Sequence, residues 1–155
     1  MAAPKIGSKV KSFSLPSSGG DTWSLKEAAG RKLVIYFYPK DMTAGCTRES
    51  QDFRDLHSAF RKAGVDIVGV SRDSVKSHDK FTEKEKLSFP LLADEAEALC
   101  KQFDVIQEKS LYGRKYLGIE RSTFLLDGTG ILRREWRKVK VPGHAEEVLE
   151  AAKSL

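Results

Sequence analysis

The chain has 155 residues, 40% of them hydrophobic, and carries a net charge of +5 from 27 basic and 22 acidic side chains. This suits one domain with a real core, expected to span 1–155. No apolar run approaches the roughly 20 residues that cross a bilayer, the opening MAAPKIGSKVKSFSL lacks the apolar region of a secretory signal, and two widely spaced cysteines exclude a disulfide framework. The expectation is a soluble protein of the reducing cytoplasm.

In chain order, KLVIYFY (32 to 38) is rich in β-branched and aromatic residues and predicts a strand buried on both faces. Phe53, Leu56, Phe60 and Ala63 then recur at helical spacing and Gly64 follows as a stop, predicting an amphipathic helix from about Cys46 to Ala63. VDIVGVS (65 to 71) is a second buried strand. Together these make a βαβ unit, whose crossover sets the end of the first strand beside the helix N-terminus, where Cys46 stands.

Further on, SVKSHDKFTEKEKL (74 to 87) predicts a helix and FPLLAD a short strand. A helix over 95–103 places Ala96, Leu99, Cys100 and Phe103 on one buried stripe. RSTFLLDGTGILRREWRKV (121 to 139) predicts a hairpin turning at Asp127 to Gly130, and Ala145, Val148, Leu149 and Ala152 line a last helix. The order after Gly30 is β-α-β-α-β-α-β-β-α, an α/β chain with a mixed sheet covered by helices. The basic run RREWRKVK (133 to 140) reads as a solvated face rather than a nucleic-acid surface.

The chemistry gathers at Cys46. A thiol becomes nucleophilic when it loses its proton, and the unpaired N–H groups and aligned dipoles of a helix N-terminus favour an anion there. Thr43, three residues earlier, brings a hydroxyl to the turn. Pro39 fixes the chain as it leaves the strand and offers an apolar wall against water. Glu49, one helical turn beyond, is either an orienting partner or an exposed carboxylate favouring the dipole.

The segment YFYPKDMTAGCTRES resembles the active-site segment of peroxiredoxins, with Pro39, Thr43 and Cys46 at the matching spacing. KIGSKVKSFSLPSSGGDTWSL, ADEAEALCKQFDV and EKSLYGRKYLGIERSTFLLD are similar to the bacterioferritin comigratory protein, or peroxiredoxin Q, branch. The resemblance implies a thioredoxin-like fold, a central mixed β-sheet flanked by helices with an N-terminal β-hairpin extension. It also implies reduction of hydrogen peroxide and organic hydroperoxides, with Cys46 becoming a sulfenic acid and Arg121 as the active-site arginine. No cofactor is implied. A guanidinium stays charged at any working pH, so it can both hold a thiolate and bond a peroxide oxygen.

Two residues depart from the branch. Where many members carry a resolving cysteine, five residues after the first, this chain has Gln51, and Ala44 replaces the proline before Gly45. Cys100 is then the only internal thiol left to capture the sulfenic acid, but its place on a buried stripe favours a structural role, since bridging needs the two Cα atoms within about 7 Å. The expectation is a one-cysteine cycle resolved by thioredoxin or by glutathione with glutaredoxin, with a two-cysteine cycle through Cys100 as the alternative. A non-catalytic binding module using the basic strand is the alternative of a different class. His57, His78 and His144 are too scattered to suggest a metal site. Nothing commits the chain beyond a monomer or weak dimer, and neither nucleic acid nor membrane is expected as a partner.

Overall fold

The computed structural model describes residues 3–155. Its elements, in chain order, are β1 (Ser14–Pro16), β2 (Thr22–Ser24), a 3-10 turn (Leu25–Ala28), β3 (Lys32–Phe37), α1 (Ala44–Lys62), β4 (Val65–Ser71), α2 (Val75–Glu85), β5 (Leu91–Ala93), α3 (Ala98–Gln102), β6 (Ile106–Leu111), β7 (Arg114–Ile119), β8 (Ser122–Leu126), β9 (Leu132–Trp136) and α4 (His144–Lys153). Five strands form the central mixed sheet in the order β5-β4-β3-β8-β9, with β3, β4 and β5 parallel to one another, β8 antiparallel to β3, and β9 antiparallel to β8. The fold expected from the resemblance is the one observed, including its N-terminal hairpin, β1 paired with β2.

Side chains alternate along β3, so the central strand feeds two cores. Leu33, Ile35 and Phe37 point into one layer, with Val10, Trp23, Leu99, Cys100, Phe103 and Phe124. Val34, Tyr36 and Tyr38 point into the other, with Cys46, Phe53 and Phe60 of α1, Phe81 of α2, and Ala145, Val148 and Ala152 of α4. Burial on both faces explains why β3 and β4 read as continuous apolar runs. Gly69 on β4 is required by this packing: a Cβ there would fall 2.8 Å from the Tyr36 ring and 2.8 Å from Leu91.

Three expectations need correction. The predicted element order lacks the β6–β7 hairpin, six residue pairs in register from Ile106↔Ile119 to Leu111↔Arg114. Its residues 111–117 are all exposed, so no apolar alternation announces it. The available signal was the two-residue turn Tyr112-Gly113, both at positive φ, the turn type that suits a tight hairpin. The helix expected over 95–103 is reduced to the five residues of α3, because Asp94 caps it from within the sheet layer by accepting from the Leu99 and Cys100 amides at 3.2 and 2.7 Å. The first long helix starts two residues before Cys46, with Thr43 as its N-cap.

The hairpin expected at Asp127 to Gly130 is present: Gly130 N–H donates to the Asp127 carbonyl, and the Asp127 carboxylate accepts from Thr129 and Ile131. Most of the basic run is tied down locally. Arg133 pairs with Asp127 at 2.7 Å, Arg134 lies 4.8 Å from the centroid of the Trp136 ring, and Arg137 donates to the carbonyls of Phe103 and Asp104. No helix among the described residues is long and apolar enough to cross a membrane.

Candidate active site

Cys46 is the third residue of α1. The first intrahelical bond runs from Thr47 N–H to the Thr43 carbonyl, so the amides of residues 44–46 precede the ladder and present unpaired donors. The sulfur is nearly sealed, with Cys46 1% exposed, and sits in the α1 core layer near the C-terminal end of β3.

Arg121 reaches this sulfur from the chain segment just before β8. Its Nη2 donates to Cys46 Sγ at 3.3 Å and its Nη1 donates to Glu49 Oε1 at 2.6 Å. One planar fork therefore spans the thiol and a carboxylate a helical turn further on, a geometry that fixes the guanidinium in two directions. Gly45 makes room for it, since a Cβ there would lie 3.2 Å from Nη2.

Glu49 is not the exposed carboxylate of one sequence reading; it is 1% exposed and ion-paired with Arg121. Burial pushes its carboxyl up to about 7, with Arg121 pulling the other way. Its second oxygen, Oε2, has no partner among the described residues.

Thr43 and Pro39 belong to the turn that leads into α1. The Thr43 hydroxyl donates to the Lys40 carbonyl at 2.9 Å, closing the turn, so its proton is engaged there and its oxygen lone pairs remain free to accept. Thr43 is exposed and Pro39 half-buried, following the fully buried Tyr38. Cys46, Thr43, Arg121 and Pro39 thus come from two chain segments, which meet because β3 and β8 are neighbours in the sheet. Sequence reasoning missed a further group: Asp41, Asp73 and His78 place ligand-type atoms within 4.8 Å of one another beside this turn. Those atoms already bond one another and nearby protein groups, and a bound ion would have to displace those bonds.

Cys100 lies elsewhere. It is fully buried in the layer on the opposite side of the central sheet from Cys46. Burial, with Asp94 beside it, pushes its thiol far above the ordinary cysteine range.

A thiol and a guanidinium at a helix N-terminus, mounted on a thioredoxin-like sheet, define a thiol peroxidase. The AhpC/TSA family model matches residues 6–135, and the chain belongs to that family. Within it, the chain is a peroxiredoxin of the Bcp, or Q, branch. It is 58% identical over 144 residues to the peroxiredoxin Bcp of Xanthomonas campestris pv. campestris, covering 92% of this chain and 90% of that protein. A cysteine-to-serine mutant of PrxQ from Xylella fastidiosa superposes with a TM-score of 0.94 at 44% identity, covering 99% of this chain and 98% of the other. A second structure, from a study of alkyl peroxide reduction by the X. campestris bacterioferritin comigratory protein, gives a TM-score of 0.87 at 57% identity, covering 92% and 90%. The chain is therefore an enzyme with thiol-dependent peroxidase activity, and the binding-module alternative is set aside.

Proposed function

We propose that Cys46 is the peroxidatic residue and that it works in a one-cysteine cycle. The observation that carries this is the Arg121 fork, which holds the sulfur and Glu49 at once. A guanidinium bonded to sulfur stands where it can donate both to the attacking sulfur and to a peroxide oxygen. The thiolate attacks the terminal oxygen of a hydroperoxide; an S–O bond forms as the O–O bond breaks, leaving a sulfenic acid and an alkoxide or hydroxide that takes up a proton. Arg121 and the Cys46 amide donate to the oxygens as charge develops. Thr43, its own proton engaged, accepts from the peroxide O–H and aligns the O–O bond with sulfur. Pro39 forms the apolar wall of the approach.

An external thiol then attacks the sulfenic sulfur and releases water, and a second thiol reduces the mixed disulfide. Thioredoxin, or glutathione with glutaredoxin, is the reductant class this cycle needs, and a reducing compartment such as the cytoplasm would supply it. We take the chain to act as one domain, as a monomer or weak dimer. Hydrogen peroxide and organic hydroperoxides are the substrates, in line with the alkyl peroxides named for the X. campestris relative. The separation of the two cysteines by the central sheet argues against the Cys100 route.

Intact mass under non-reducing conditions, after one equivalent of peroxide, tests the cycle. A gain of about 16 Da, or a glutathione adduct, is expected for wild type and Cys100→Ala alike, while a loss of about 2 Da in wild type would establish an internal disulfide.

A further inference from the structure

Asp41 lies in the turn between Pro39 and Cys46 and is held on every side. The Tyr38 hydroxyl donates to its Oδ1 at 2.6 Å, the Ser77 hydroxyl donates to its Oδ2 at 2.8 Å, and its own N–H donates to Asp73 Oδ2 at 2.9 Å. His78 of α2, fully buried, places Nδ1 2.7 Å from the same Asp41 Oδ2 and Nε2 2.9 Å from the Leu92 carbonyl of β5. A carbonyl only accepts, so Nε2 donates to Leu92 while Nδ1 faces the carboxylate. This is a buried, hydrogen-bonded link between α2 and the turn that precedes α1.

The next residue shows what the link restrains. Met42 has a φ of 64°, left-handed for a β-carbon-bearing residue, and the residue is 45% exposed. A methionine facing solvent does not hold that conformation by its own contacts; the pinned Asp41 before it and the Thr43 cap after it impose it.

We propose that the Asp41–His78 pair is a positioning device for Cys46, through which α2 grips the turn 39–43 and so sets where the sulfur meets Arg121. The proposal rests on the reading of Cys46 as nucleophile and deepens it. Neither residue touches peroxide. Both act through the turn that starts α1.

Two variants each keep half of the bonding of His78. An asparagine amide occupies the place of Nδ1 and retains the link to Asp41; a glutamine amide occupies the place of Nε2 and retains only the bond to Leu92. The second-order rate of hydrogen peroxide consumption and the thermal midpoint are measured for both. His78→Asn is expected to stay within about threefold of wild type, and His78→Gln to be slower by on the order of 10-fold, as for a nucleophile displaced by a fraction of an ångström. The Asp41→Ala/His78→Leu double variant adds a second readout. Removing both partners leaves neither the carboxylate nor the imidazole buried and unpaired, so, although the Tyr38 and Ser77 hydroxyls and the Leu92 carbonyl lose a partner, its midpoint is expected to lie above that of Asp41→Ala or His78→Leu alone while its rate stays low.

A wild-type rate in His78→Gln, or in the double variant should His78→Gln not fold, overturns the proposal. So do rates that simply follow the midpoints, which would mark a structural role alone. Cys46→Ser separates the two readings. If wild type and Cys46→Ser consume peroxide equally, the nucleophile reading fails and the positioning proposal fails with it. If consumption is lost in Cys46→Ser but unchanged in the positioning variants, only the latter is overturned.

Discussion

At the scale of single residues, Glu49 links the site to solution pH. Burial holds its carboxyl near 7 against an ordinary 4.5, so between those values the folded chain keeps a proton that the unfolded chain releases. Its contribution to stability therefore declines as pH rises from about 4.5 to about 7. His144 slopes the other way: burial against β8, with Nε2 2.8 Å from the Thr123 hydroxyl, lowers it to about 4, so stability is lost as pH falls from about 6.5 towards 4. Since the two slopes oppose each other in wild type, substitution separates them. Urea midpoints of Glu49→Gln relative to wild type should move in favour of the variant as pH rises from about 5 to about 8. A pH-independent offset between the two curves would place the titration on another group. The pairing of Glu49 with Arg121 was only half legible in the sequence. Helical spacing put Glu49 one turn from Cys46, but its burial depends on β8 arriving alongside, which no local pattern encodes.

At the scale of elements, the βαβ unit was readable because its strands are buried on both faces and its helix carries an apolar stripe ending at Gly64. The β6–β7 hairpin was not, because strands whose side chains face solvent leave no period-two signal. The early start of α1 has a functional consequence that periodicity could not show. With Thr43 as N-cap, Gly45 falls in the first helical turn with ordinary helical geometry, so its small size serves Arg121 rather than backbone freedom. Gly45→Ala should then separate two properties that usually fall together. A helical alanine in place of glycine favours folding, by up to about 1 kcal/mol in a helix interior and less at this terminal position. The added methyl group, 3.2 Å from Nη2, pushes the guanidinium off the sulfur. The variant is expected to melt no lower than wild type while reducing peroxide on the order of 10-fold more slowly. A wild-type rate would mean that the contact between Arg121 and Cys46 tolerates displacement.

At the scale of the whole molecule, the central sheet separates two sulfurs with different fates. Cys46 meets a guanidinium at a helix N-terminus in one layer; Cys100 lies in the other among Leu99, Phe103 and Phe124, its thiol held protonated by burial. Bridging them would require one of them to cross the plane of β3 and β4, a rearrangement of the core rather than the fraying of a helix end. Gln51, where the resemblance would put a resolving cysteine, is an amide bonded to Glu85 of α2 at 2.7 Å that braces α1 against α2. In the proposed one-cysteine cycle a sulfenic acid formed at Cys46 waits for an outside thiol, and while it waits a second peroxide can oxidise it further. This gives a prediction in which the two cysteines behave oppositely. Under excess peroxide without reductant, a species about 32 Da heavier, the sulfinic acid, should accumulate on Cys46 in wild type and in Cys100→Ala at the same rate, and added thiol should suppress it. Cys100→Ala should instead lower thermal stability, since truncating a fully buried side chain costs on the order of 1 to 3 kcal/mol through lost contacts and the cavity left behind. Faster overoxidation in Cys100→Ala at unchanged stability would show that Cys100 captures the sulfenic acid, and that the sheet is no barrier between the two layers.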